Sequence, residues 1–126
     1  MCMKHLYAEC EKVLTKSVLQ EIIKDVAPNS VTLKRVGLVG SFSRDDFTDK
    51  SDVDLVFDTG EKMIDEAVLS AGLKIRSIIS NQFDCDVDII NYATIILRAN
   101  EENSTYCVEG YRKMLEDLKW IWRREI

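Results

Sequence analysis

The sequence has few of the residues that divide a chain into separate units. It contains one proline and five glycines in 126 residues, and no low-complexity linker splits it. A chain of this length suits one domain, which buries roughly two thirds of the surface that its unfolded form exposes. No internal repeat of useful period occurs. We therefore expect a single domain over residues 1–126.

Histidine and paired cysteines are also scarce. His5 is the only histidine, and the four cysteines include no pair at CxxC spacing, so a structural zinc site is not expected. The N-terminus has no apolar core of signal-peptide length, and no run of 18 apolar residues occurs. These absences predict a reduced, cytoplasmic protein without a membrane span.

An excess of positive charge is missing as well. The formal net charge is −5, whereas binding to DNA or RNA needs clustered lysine and arginine side chains that neutralise phosphates. A general nucleic-acid-binding protein is therefore not expected. An acidic site still binds nucleotide phosphates when metal ions accompany them.

The apolar pattern predicts an α/β (α+β) fold in which helices pack on a small mixed sheet. Residues 4–27 carry apolar side chains at three- and four-residue steps, which predicts an amphipathic helix that ends at Pro28. The other predicted elements are strands at 31–39, 52–58 and 85–92, two helical pieces within 61–82 separated at Gly72, and helices over about 93–125. The stretch KIRSII within 61–82 also fits a strand, and the sequence leaves that choice open.

Two tryptophans lie in the final predicted helix. Trp120 and Trp122 cannot share one face of a helix. We expect both to be partly buried aromatic residues on a terminal helix; the alternative is that one packs inside and the other lies exposed, where it would be a good anchor for a partner.

Carboxylates occupy alternate positions in two predicted strands. Asp52 and Asp54 lie in DVDLV, and Asp86 and Asp88 lie in DVDII. Alternate residues of a strand point to the same face and lie about 7 Å apart. Carboxylates gathered on one face repel one another unless a cation lies among them, and oxygen ligands of this kind suit Mg²⁺.

A second feature, Gly40-Ser41, follows a predicted strand and precedes a predicted short helix. Backbone N–H groups, a hydroxyl group and a helix N-terminus together form an anion site suited to phosphate. A phosphate site beside a cation-binding cluster is what phosphoryl or nucleotidyl transfer needs. Other motifs fail: Val56 and Phe57 occupy positions where an EF-hand loop needs a polar ligand and glycine, and no Walker A motif occurs.

The segment GSFSR is followed by seven residues and then by DVDLV. This arrangement resembles the Gly-Ser-x-x-Arg and Ser-Asp-x-Asp-Leu signature of minimal nucleotidyltransferases, which belong to the DNA polymerase β-like superfamily. The later DVDIINY is similar to that family's third-carboxylate strand. The resemblance covers roughly residues 31–115 and is sharpest over 40–55. It implies one nucleotidyltransferase domain with a polymerase β-like palm: an N-terminal helix at 4–27, a catalytic core at about 31–92 and C-terminal helices at about 93–125.

The resemblance implies that Gly40 and Ser41 hold the β and γ phosphates of a nucleoside triphosphate. Arg44 matches the arginine of the motif, which implies either a phosphate contact or a role in loop structure. Many family members have glycine after this arginine, whereas this chain has Asp45-Asp46. Two negative charges beside a triphosphate would weaken ATP binding unless they are directed to solvent.

The resemblance also implies the metal ligands. Asp52 and Asp54 would bind two Mg²⁺ ions. Asp88 would be the third carboxylate, which ligates one metal and helps to deprotonate the attacking hydroxyl group. Asp86 lies on the same predicted face, and it is the alternative to Asp88.

The implied activity is Mg²⁺-dependent transfer of a nucleoside monophosphate, AMP from ATP, to a hydroxyl group. Small proteins of this family often pair with a HEPN-domain toxin and act as its antitoxin, in some systems by adding AMP to a tyrosine of the toxin. The short chain favours such a protein acceptor. Two alternatives are an antitoxin that acts by docking alone and a small-molecule nucleotidyltransferase of the aminoglycoside type. The base preference, the acceptor and any oligomer are left open.

Overall fold

The computed structural model describes residues 13–48, 51–61, 63–103 and 105–125. No helix in these ranges is long and apolar enough to cross a bilayer. The elements, in chain order, are α1 (Lys16–Val26), a 3₁₀ turn (Ala27–Asn29), β1 (Arg35–Val39), α2 (Ser41–Arg44), β2 (Val53–Asp58), α3 (Glu66–Gln82), β3 (Val87–Asn91), α4 (Tyr92–Ala99), α5 (Tyr106–Asp117) and β4 (Lys119–Arg123).

The strands form one mixed sheet in the order β3-β2-β1-β4. Strand β1 is antiparallel to both β2 and β4, whereas β2 and β3 are parallel. Two parallel neighbours need a crossover connection, and α3 lies between them in the chain. The prediction of an α/β fold with a small mixed sheet is confirmed.

Helices cover both faces of the sheet. Leu55 and Phe57 of β2 are fully buried in the main core, to which α1 and α3 contribute. On the opposite face Val39 and Val56 pack with Ile95 of α4, and partly buried side chains of α5 complete this smaller core. Each fully buried aliphatic or aromatic side chain of this size contributes about 1.5–3 kcal/mol. Because strand residues alternate in direction, Asp54 lies on the face of the smaller core.

Helix α1 begins after Thr15, whose hydroxyl oxygen accepts a hydrogen bond from the Val18 N–H at 3.2 Å. A threonine in this position caps one of the N–H groups that have no partner within the helix. Residues 13–15 are not helical, so the predicted start at residue 4 is wrong for these three residues. Residues 4–12 of the predicted helix lie outside the described ranges.

Helix α3 is continuous from Glu66 to Gln82, so the predicted break at Gly72 is wrong and KIRSII is helical. Gly72 is buried against the sheet. A Cβ atom there would lie 3.2 Å from Ile89 Cγ1 and 3.5 Å from Phe57 Cε2. The glycine therefore permits a close approach of helix and sheet.

The C-terminal helices predicted over about 93–125 are present as α4 and α5, but residues 119–123 form strand β4. Tryptophan and isoleucine favour strands when a sheet edge is available, and β1 offers that edge. A register shift between Val36 and Gly37 of β1 places Trp120 against the smaller core and Trp122 against the main core. Both tryptophans are half-buried, as expected, although they lie on a strand and not on a terminal helix.

Candidate active site

Gly40, Asp54 and Asp88 lie side by side at one end of three adjacent strands. Val39, the residue before Gly40, pairs with Asp54 across β1 and β2, and Asp54 pairs with Asp88 across β2 and β3. A Cβ atom on Gly40 would lie 2.7 Å from Asp54 Oδ2. The pairing thus brings the Gly-Ser segment and the two acidic strands to one place.

Gly40 and Ser41 form the turn from β1 into α2. Gly40 has φ +73° and ψ −154°, a conformation that residues with a Cβ atom rarely adopt. Its carbonyl oxygen accepts hydrogen bonds from the N–H groups of Ser43 and Arg44, each at 3.1 Å. The first N–H groups of any helix lack a partner within it, so this turn is a source of backbone donors beside Asp54.

Asp54 occupies an electrostatically unfavourable position. Partial burial, reinforced by the negative charges of Asp88 and Asp52 and by a hydrogen bond with Asp88, raises the pKa of Asp54 to about 6. Burial and the nearby carboxylates of Asp52, Asp86 and Asp84 likewise raise the pKa of the Cys85 thiol to about 11. Negative charge therefore accumulates at this end of the sheet, where a cation would be stabilised.

Asp52 and Asp86 lie just before strands β2 and β3. Asp52 Oδ1 accepts a long hydrogen bond, 3.4 Å, from the Asp86 N–H. Together with Arg76, Val87 and Asp88 they line a pocket of about 300 Å³. Of the two candidates for the third carboxylate, Asp88 is the one that pairs with Asp54.

The donor set suits Mg²⁺, although it is not a complete cage. Within the part of the chain that the structure describes, no group of three or more histidine, cysteine, aspartate or glutamate residues is arranged to hold a metal ion by itself. Mg²⁺ typically takes one or two carboxylates and completes its shell with water and substrate phosphates. Asp52, Asp54 and Asp88 therefore fit an ion that arrives with oxygen ligands from a nucleotide.

Arg44 and the two aspartates after it are held in ion pairs. Arg44 lies 2.8 Å from Asp117 Oδ2 and 3.1 Å from Asp46 Oδ2. Lys16 lies 2.8 Å from Asp45 Oδ1 and holds the pKa of Asp45 below its usual range. Asp45 has φ +66°, the left-handed conformation that favours glycine and that aspartate tolerates better than most residues. Both extra charges are thus compensated, and the Arg44 contacts support its role in loop structure.

Sequence reasoning missed Asp117 and Lys119, which contact this loop from the junction of α5 and β4. Lys119 Nζ donates to the Ser43 carbonyl at 2.6 Å. No motif marks either residue, because each lies more than 70 positions from its partner in the sequence.

Comparison with protein families identifies one domain. The family model described as "Nucleotidyltransferase domain" matches residues 19–122, which include both acidic strands and the Gly-Ser turn. A comparison with curated proteins gave no match.

Several solved structures share the fold. A toxin–antitoxin crystal structure with AMP-PNP matches with a TM-score of 0.53 and 21% identity, over 85% of this chain and 74% of that chain. A mutant of the toxin–antitoxin pair MntA–HpeT matches with a TM-score of 0.52 and 19% identity, over the same shares, 85% and 74%. The family model spans most of the sequence, so this chain belongs to the nucleotidyltransferase domain family, and the prediction of a nucleotidyltransferase domain is confirmed.

Proposed function

We propose that this chain is a Mg²⁺-dependent enzyme that transfers AMP from ATP to a hydroxyl group of a protein acceptor. The observation that carries this proposal is the alignment of Gly40, Asp54 and Asp88 across three adjacent strands. Phosphate donors and metal-binding carboxylates are then neighbours, as nucleotidyl transfer requires.

Each residue has a defined part in this proposal. Gly40 and Ser41 bind the β and γ phosphates, and Asp52 and Asp54 hold two Mg²⁺ ions with Asp88 as the third carboxylate. When bound, Mg²⁺ neutralises the negative charge that develops on the phosphate oxygens. The Asp88 carboxylate accepts the proton of the attacking hydroxyl group. A bond forms between the acceptor oxygen and the α phosphorus while the bond to the bridging oxygen breaks, and pyrophosphate leaves.

A protein acceptor suits the surroundings of Asp88. The pocket beside it, about 300 Å³, lies at the lower end of the range for pockets that enclose a small molecule. Asp52 and Asp88 are exposed, so a docked surface can reach them. The two solved structures described above come from toxin–antitoxin pairs, one of them with AMP-PNP. We therefore propose a toxin as the acceptor, of the HEPN-domain type that the family resemblance implies, and a cytoplasmic antitoxin role for this chain.

Titration calorimetry with ATP tests the nucleotide site. We expect the wild-type chain to bind ATP with Mg²⁺ and not with EDTA, and the Asp52→Asn/Asp54→Asn variant to lose this binding. Asp84→Asn is the matched control, since it removes an exposed carboxylate from the same end of the sheet. Absence of binding by the wild-type chain at millimolar ATP would refute the site.

Intact-mass spectrometry tests the acceptor. After incubation with MgATP and a candidate HEPN-domain toxin, the toxin is expected to gain the mass of AMP, and Asp88→Asn is expected to abolish the gain. Neutralisation of the toxin by the Asp52→Asn/Asp54→Asn variant would instead favour docking alone. Transfer to an aminoglycoside with no toxin present would favour the small-molecule alternative.

A further inference from the structure

The loop at residues 40–45, which follows β1 and contains α2, is held by the junction of α5 and β4. Arg44 Nη1 donates to Asp117 Oδ2 at 2.8 Å, and the Ser43 hydroxyl group donates to the backbone carbonyl of Asp117. Lys119 Nζ donates to the Ser43 carbonyl at 2.6 Å. Ser43 is fully buried and the side chain of Asp117 is 9% exposed, so water has little access to the Ser43 hydroxyl group and the Asp117 carboxylate.

The 40–45 loop needs these contacts because its own backbone is weakly stabilised. Helix α2 has only four residues, far fewer than an isolated helix needs. Gly40 and Asp45, on either side of it, both have positive φ angles of 73° and 66°. Glycine adopts such an angle freely, whereas it costs an L-residue such as Asp45 about 1–2 kcal/mol, and its conformation persists when surrounding structure enforces it.

The junction that holds the loop is itself fixed to β1. Lys119 pairs with Leu38 of β1. Next to it, Leu118 packs so closely that a Cβ atom on Gly37 would lie 2.6 Å from Leu118 Cδ1. Since β1 leads directly into Gly40, Asp117 is held at a defined position relative to the loop.

We propose that Asp117 is a positioning residue for nucleotide binding. Through Arg44 and Ser43 it holds the 40–45 loop in the conformation that receives the phosphates, and it does not contact the nucleotide itself. Groups that orient a binding site from behind in this way commonly set its affinity. This inference rests on the proposed function of the same site.

The test compares MgATP affinity among variants of two adjacent carboxylates of α5. Asp117→Asn keeps the backbone carbonyl that binds Ser43 but removes the charge opposite Arg44. Asp117→Glu keeps the charge. Glu116→Gln is the matched control, because Glu116 is exposed and pairs only weakly with Lys113, at 3.9 Å.

We expect Asp117→Asn to weaken MgATP binding by about tenfold, the lower end of the effect of removing an orienting group. Asp117→Glu is expected to restore most of the affinity, and Glu116→Gln to change it little. Binding of AMP with Mg²⁺ is the second measurement, because AMP lacks the β and γ phosphates that the 40–45 loop would hold, and it is expected to be unchanged in all three variants. Urea unfolding establishes that each variant is folded.

A folded Asp117→Asn variant with wild-type MgATP affinity would overturn the inference, and so would an equal loss of AMP and MgATP binding. If Asp117→Asn does not fold, Arg44→Gln replaces it: this change removes the guanidinium group that pairs with the Asp117 carboxylate, and unchanged MgATP affinity would again overturn the inference. Absence of MgATP binding by the wild-type chain would instead refute the proposed function, and the inference with it.

Discussion

The negative charge of Asp54 is unfavourable where it lies, and binding of a proton or a cation removes this penalty. Its carboxyl group has a pKa of about 6 in the folded chain, against an ordinary value of 3.8. Between these values the folded chain binds more protons than the unfolded chain, so the contribution of Asp54 to stability falls as the pH rises through this window. At neutral pH the residue therefore destabilises the metal-free fold, as functional residues often do.

Asp54→Asn is accordingly expected to be more stable than the wild-type chain at pH 7.5 in EDTA. The gain is about 1–2 kcal/mol after allowance for solvent screening, and it is expected to vanish below pH 4. Urea unfolding at both pH values measures it, with Asp84→Asn as the control for loss of an exposed carboxylate. A variant of equal or lower stability at pH 7.5 would contradict the expectation.

Gly40 has no room for a side chain larger than hydrogen. Gly40→Ala would place a Cβ atom 2.7 Å from Asp54 Oδ2 at a φ of +73°. We expect it to destabilise the chain by about 1–3 kcal/mol, because strain and carboxylate displacement add, and to abolish MgATP binding. Urea unfolding and calorimetry measure the two effects.

Gly110→Ala is the matched control for Gly40→Ala. Gly110 lies within α5, and a Cβ atom there would meet nothing within 4 Å. Alanine at an exposed helix position is expected to stabilise the chain by roughly 0.5–1 kcal/mol. Destabilisation of similar size in both variants would show that the Gly40 effect is not specific to the site.

At the scale of the elements, β4 is tied to the sheet through Trp120. Its ring lies 3.9 Å from the Arg35 guanidinium carbon and meets Tyr92 edge to face, with centroids 5.1 Å apart. Arg35 in turn lies 2.6 Å from Asp58 Oδ2. One cluster of aromatic and charged side chains thus joins β4 to β1, β2 and the start of α4.

Trp120→Ala is expected to cost about 2–3 kcal/mol, less than the loss of a fully buried tryptophan because this side chain is half-buried. Trp120→Phe keeps a ring over Arg35 and is expected to lose less than half as much. Urea midpoints of the two variants give the comparison. Equal losses would show that bulk at the indole edge, and not ring stacking on Arg35, stabilises β4.

At the scale of the whole molecule, nucleotide binding should stabilise the fold. A ligand at a hundred times its Kd stabilises a protein by about 2.7 kcal/mol when it binds only the folded state. We expect ATP with Mg²⁺ to raise the urea midpoint of the wild-type chain. ATP with EDTA should have no such effect, nor should MgATP on the Asp52→Asn/Asp54→Asn variant. A stabilisation that survives in the double variant would place the nucleotide elsewhere.

The sequence by itself determined the local chemistry and the class of fold. Alternation of apolar and acidic residues at 52–58 and 85–92 predicted strands with carboxylates on one face, because side chains alternate along any strand. Gly40-Ser41 identified the turn beside them, since glycine at a strand end permits a positive φ. The residues of each signal lie close together in the sequence, so the signals can be recognised from the sequence alone.

The tertiary structure alone decided which distant groups meet. The register of β2 and β3 sets Asp88, and not Asp86, opposite Asp54. Strand β4 forms because β1 offers an edge that stabilises residues 119–123 more than continuation of α5 would. The contacts of Asp117 with Ser43 and Arg44 join positions 74 and 73 residues apart. Such pairings depend on the free energy of the whole fold, because no short segment contains both partners.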